Sequence, residues 1–362
     1  MKRITTEKNI KLYLWICLVV VVPFLSVSAW TADFPQRKAS AKRSAKEGLG
    51  RHKISLLKRM RGPGHEVLAD RIVKQFANEK LAANTLGKAK KDMQENRTTV
   101  MGDHWYLQAY GDGTSARYHN FKYIENNSGR GKPVSERMSE RELERLGRKF
   151  IKEKLSDYIR LGPSESLVPS FTEFQIASLS EAIEGAPVQE RVHANTVVFT
   201  RTVDNVDVLG PGSKVALTFA NDGNTVAFSF DWPEYDHTDK SQKVLPLSEI
   251  KKRGWNLSAV NLDSTDVQIT RFDCGYFDAG RKHDPDAYIQ SGCVYHTIEH
   301  KIVDHTLYNM GRKSGRLMRA VVDVIPAGEQ VAPDRNWSQV MKMYGQPEKR
   351  VSAPQNPQKK ES

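Results

Sequence analysis

The sequence predicts an α+β protein of tandem units, each with one helix lying across an antiparallel sheet, set between a disordered basic N-terminal arm and a disordered C-terminal tail. Three observations lead there. Val215, Leu217 and Phe219, then Val226, Phe228 and Phe230, alternate with more polar residues around Asn221-Asp222-Gly223. Side chains two apart share one face of a strand, and Asn-Asp-Gly tolerates the positive φ of a tight hairpin, so this stretch is a meander. Upstream, Ser139 and Glu142 have the spacing of a capping box. Leu143, Leu146, Phe150, Ile151, Leu155, Tyr158 and Ile159 then form one helical stripe, which Gly162-Pro163 ends. After Leu247 the order recurs more loosely, with a short helix to Arg253 and three later stretches of strand character.

Taken in order, residues 1–29 read as an export signal. Lys2, Arg3, Lys8 and Lys11 lead into an apolar run from Leu12 to Val22, and Val27-Ser28-Ala29 supplies the small residues of a cleavage site after Ala29. The competing reading is an uncleaved anchor over Leu12 to Trp30, close to the ~20 residues that span a bilayer. Residues 30–64 form the basic arm. The formal charge of the chain is +12, and between Arg37 and Arg61 ten Lys or Arg face a single acid, Glu47. RKASAKRSAKEG has no apolar period and is expected to be disordered, while Ile54, Leu56, Leu57 and Met60 suggest one amphipathic turn. Residues 65–134 read as a helix from His65 to Lys91 and a hairpin of Trp105 to Tyr110 with Arg117 to Tyr123. Residues 135–240 hold the capped helix and the meander, 241–344 the looser second unit, and 345–362 a tail rich in Pro, Gln and Lys.

Asp204-Asn205-Val206-Asp207-Val208-Leu209-Gly210, followed by Lys214 to Thr218 and Asn221-Asp222-Gly223, resembles the PepSY and related FTP propeptide domains. The resemblance covers Ser139 to Trp232 and extends weakly over Leu247 to Ala327. It implies cystatin-like helix-on-sheet modules that are exported and act on a secreted metallopeptidase as inhibitor or folding aid. The departure is that no peptidase sequence accompanies the module. His65-Glu66-Val67-Leu68-Ala69 lacks the second histidine zinc would need, so the resemblance implies a stand-alone module and assigns no inhibitory residue.

Candidate chemistry is sparse. With Cys17 in the leader, Cys274 and Cys293 remain as a pair, and two cysteines in an exported chain are expected to bond; two buried free thiols are the other reading. His296-Thr297-Ile298-Glu299-His300 matches the string of inverted zinc peptidases, which requires a helix. Its β-branched surroundings predict a strand, which sets the two histidines roughly 13 Å apart, too far for one zinc. Asp278, His283, Asp284 and Asp286 could offer oxygens to calcium, without regular loop spacing; a solvated turn is the plainer reading. Trp105, Tyr106, Tyr110, Tyr118 and Tyr123 form either a sugar- or protein-binding face or cross-strand pairs that hold a small sheet.

The expectation is therefore an exported, non-enzymatic binding module, secreted or periplasmic, without catalytic residues, metal or cofactor. Its partner is expected to be a secreted or envelope protein such as a peptidase. The alternatives are an envelope structural protein held to an anionic surface by Arg37–Arg61, and a metal-dependent hydrolase using His296 to His300. Nucleic acid is the least expected partner, since no aromatics interleave the bases of the arm.

Overall fold

Long alternating strands with both edges free to pair dominate this chain. The computed structural model describes residues 53–77, 90–121, 131–179, 189–257, 267–302 and 316–329, all within a unit spanning Lys42–Ser362. The leader with Ala29, the alternative span Leu12 to Trp30, residues 30–52 of the arm and the tail from 345 lie outside them. The strands are β1 (Lys53–Arg59), β2 (Lys90–Gln94), β3 (Arg97–Met101), β4 (Trp105–Tyr110), β5 (Ser115–Asn120), β6 (Lys132–Pro133), β7 (Glu165–Leu179) and β8 (Gln189–Val203). They continue with β9 (Val206–Leu209), β10 (Lys214–Phe219), β11 (Thr225–Asp231), β12 (Tyr235–Lys243), β13 (Val267–Phe277), β14 (Tyr288–Ile302) and β15 (Arg316–Pro326). The helices are α1 (His65–Ala77), α2 (Glu140–Phe150), which runs into a π-turn at Ile151–Leu155, and α3 (Leu247–Leu257).

The expectation of tandem helix-on-sheet units is corrected. The fold is β-rich: all the strands join one mixed 15-stranded sheet with few helices. Strands from every expected unit pair with one another. β5 pairs antiparallel with β11, and β9, turned back from β8 by Asp204-Asn205 with φ of 51° and 63°, pairs in parallel with β13. The supposed amphipathic turn of the arm is β1, which pairs with β12 and with β14. The helix expected to reach Lys91 is described only to Ala77, and Lys90 and Lys91 belong to β2. From β2 the Lys91 ammonium reaches back to Glu66 and Asp70 of α1, at 3.0 and 3.1 Å.

Two apolar clusters hold the sheet. In the first, Leu68, Ile72 and Phe76 of α1 and Leu143 and Leu155 around α2 meet Leu107, Phe199, Leu217 and Phe228 on one sheet face. Ser139 caps α2, its hydroxyl accepting from the Glu142 N–H at 3.2 Å. Gly147 lets that helix come close, since a Cβ there would lie 2.6 Å from the Phe199 ring. In the second, Ile54 and Leu57 of β1 pack with Val206, Val208, Ile250, Tyr276, Ile289 and Ile325. Cys274 and Cys293 face each other in the β13–β14 register within this cluster and are disulfide-bonded, with Cα atoms 4.0 Å apart. Among the described residues no helix is long and apolar enough to cross a membrane.

Candidate functional site

Charged side chains are buried where the two clusters meet. Arg59, the last residue of β1, aims its guanidinium at carboxylates from two distant parts of the sheet. Its Nη1 donates to both oxygens of Asp278, at 3.1 and 3.0 Å, and its Nη2 donates to Asp231 and to the Thr114 hydroxyl, each at 2.7 Å. Asp278, wholly buried, also accepts from the Tyr235 hydroxyl at 2.5 Å and from the Gly280 N–H at 2.8 Å. Next to it, Arg201 lies between the rings of Trp232 and Tyr235, 4.2 and 4.6 Å from their centroids, and donates to Glu165 and to the Pro233 carbonyl. Every oxygen of Asp278 thus has a protein donor, so the cluster is a structural clasp. Its planar fork suits arginine, which can serve three acceptors in one plane.

Burial shapes the titration of this region. Burial pushes Asp231 up to about 6, with the Asp278 charge adding to it and Arg59 opposing. Burial alone would raise Asp278 too, but Arg59, His283, the Tyr235 hydroxyl and the Gly280 N–H leave it below the ordinary carboxylate value. Burial and the charge of Arg117 lower His119 to about 4. Asp231 is raised from 3.8, so its contribution to stability is full below 3.8 and is lost as pH rises through about 6. His119 is lowered from 6.5, so its contribution is full above 6.5 and is lost as pH falls through about 4. Each is worth about 3 kcal/mol, with opposite sign. Burial raises Glu173 as well, with the same sign as Asp231, so the comparison that isolates His119 is with the parent protein. Read by urea unfolding, the stability of His119→Gln relative to the parent should rise by about 2 kcal/mol as pH falls from 7 to 4.5. A difference between the two proteins that does not change with pH would show that His119 is not an opposing group.

The sheet face opposite α1 and α2 carries a second constellation. On β4, Trp105, Leu107 and Ala109 are buried against the helices, so Tyr106, Gln108 and Tyr110 point the other way and are half-buried. The register sets Tyr106 opposite His119, Gln108 opposite Arg117, and Arg97 opposite Tyr110. The Tyr106 and His119 rings stack at 5.9 Å, and Phe121 closes on both, at 5.5 and 4.8 Å. Arg281 lies 4.1 Å from the Tyr110 ring centroid. Toward β8 the same face continues over smaller side chains, with Ser229, Ala216 and Val198 in register beside Arg117 and Ala227, Thr218 and Thr196 beside His119.

The residues singled out from sequence are scattered by the fold. Of the five aromatics, Tyr106 and Tyr110 lie on the helix-free face. Trp105 is buried on the other, and Tyr118 packs there against Phe228 at 5.3 Å. Tyr123 lies outside the described residues. Asp278, considered for calcium, is held by Arg59 instead. His283 reaches the Ala287 carbonyl and Asp284 accepts from the Asp286 N–H, closing a local turn. His296 and His300 fall in β14, opposite Val322 and Met318 of β15, where the zinc-peptidase string has no helix to use. Among the described residues no group of three or more His, Cys, Asp or Glu is arranged to hold a metal. Arg59, counted with the arm as a surface base, is a buried cation at the centre of the clasp. Sequence reasoning missed it together with Asp231, Tyr235 and Arg201.

No family model matches the chain, and the search of curated proteins gave no match. Among solved structures, the crystal structure of an uncharacterized protein from Eubacterium rectale ATCC 33656 aligns with 78% of this chain and 86% of its own, at 11% identity and a TM-score of 0.47. A likeness of that degree carries no functional argument.

Proposed function

We propose that this is an exported, non-enzymatic binding protein that engages its ligand through the helix-free face of the sheet. The observation that supports the reading is the row of half-buried aromatic and cationic side chains on β3, β4 and β5, which no helix of the described residues covers. Rings held at a rigid sheet surface beside arginines are suited to recognition, since little side-chain freedom is left to lose on binding. A disulfide in the second cluster fits an oxidising compartment, as does the export leader read from residues 1–29. A peptidase partner, implied by the propeptide resemblance, is one ligand this face would have to accommodate.

A photo-crosslinking side chain at Thr218, on this face, and another at Glu144, on α2, test the reading in cells that export the protein. Adducts are expected from position 218 and not from 144. Equal adducts from both positions, or none from 218, would reject it.

A further inference from the structure

We infer that the helix-free face binds an anionic polysaccharide, its sugar rings lying on the Tyr106–His119–Phe121 platform and its acid groups meeting Arg97, Arg117 and Arg281. This rests on the binding-face reading above and names the ligand class. Three arginines converge on the face from three elements: β3, β5 and the turn after β13. Asp231, whose carboxylate feels the charge of Arg281, is already engaged by Arg59 at 2.7 Å. The other acids that the register sets on this side are Asp92 on β2, Glu173 on β7 and Asp207 on β9, none of them paired with the Tyr106, Gln108, Arg117 or His119 positions. The centre of the face is therefore positive. Arg97 and Arg117 sit two strands and one side-chain row apart, ~12 Å between Cα atoms, so they meet separate acid groups of one extended ligand.

The form of the surface favours a glycan over a peptide. β3, β4, β5 and β11 each have neighbours on both edges, so their backbone groups are engaged and a peptide cannot join as an added strand. Recognition must come from side chains: flat rings for the apolar faces of sugars, and guanidinium forks for carboxylates. Arg281 is already laid across Tyr110, which orients its fork toward the same face.

The test is calorimetric titration of the full mature chain with a galacturonic acid tetramer, a neutral galactose tetramer, tetraglutamate and tetrathymidylate. Binding of the uronate tetramer alone is expected, weakened about tenfold or more by Arg117→Gln and by Tyr106→Ala, and unchanged by Arg145→Gln on α2. Near-ultraviolet circular dichroism checks that each variant is folded, and Arg97→Gln replaces any that is not. The inference is overturned if the uronate fails to bind or binds the Arg117→Gln protein equally well. Equal binding of tetraglutamate or tetrathymidylate overturns it too, since that is attraction by charge without sugar recognition. Adducts at position 218 alongside a silent titration would reject the glycan and leave the binding face standing.

Discussion

Replacing Arg59 with methionine is expected to cost about 3–5 kcal/mol of stability, the largest effect of any single substitution considered in this molecule. Among the described residues the guanidinium is the one cation bonded to both Asp231 and Asp278, and the latter has no exposure to water. Methionine matches the length of the stem but leaves two carboxylates facing each other in a site that cannot hydrate them. The cost is that of stranding charge, not of losing attraction. The triple variant Arg59→Met, Asp231→Asn, Asp278→Asn should accordingly recover much of the loss, since removing a whole buried ionic group is far milder than removing one member. Arg59→Lys should fall between, because a compact ammonium cannot reach Thr114 and both acids in one plane. Equilibrium urea unfolding measures all three, and a loss below about 1 kcal/mol for Arg59→Met would mean that the clasp contributes little.

Loss of the Cys274–Cys293 bond should cost about 3 kcal/mol in the chain-entropy account of a loop closed across 19 residues. The two cysteines lie opposite each other in paired strands, so the native state keeps its β13–β14 register without the bond and the change falls mainly on the unfolded chain. Cys274→Ala with Cys293→Ala should therefore stay folded while its urea midpoint drops. Reduction of the unsubstituted protein should reproduce the drop. A double variant as stable as the parent would show that the unfolded chain is already restrained over this segment.

The elements legible in the sequence are those whose pattern is enforced by one apolar face. β10 and β11, the stripe of α2 and its Ser139 cap follow from alternation, from the helical period and from one hydrogen bond, all local in the chain. β12 was illegible for the opposite reason: Tyr235 to Lys243 has mostly exposed polar residues, because the strand lies at the border of the sheet and needs no apolar side. β1 was hidden by its charges. Lys53, Lys58 and Arg59 match the basic arm in composition, yet Ile54 and Leu57 are buried and Arg59 is the core of an ion cluster. The candidate face was half legible. Tyr106 and Tyr110 stood out as aromatics in a hairpin, but their separation from Trp105 and Tyr118 required the helices to choose a side. Arg281, far along the chain, is brought over Tyr110 only by the long-range course of β13. The tandem-unit architecture failed at the same level, since partner choice between strands is not written in any one strand.

The place of β1 bears on how the molecule comes into being. Arg59 is joined to Asp278 across 219 positions of sequence, and β12 and β14, the neighbours of its strand, are also made late. During synthesis that strand meets its first pairing neighbour only at β12 and its second only at β14, so the second cluster can close only after most of the polypeptide has emerged. Such distant pairing slows acquisition of the native state and leaves a greasy, unmated ribbon exposed meanwhile. An order of assembly follows, with the α2-covered meander consolidating early and the leading segment threading home last.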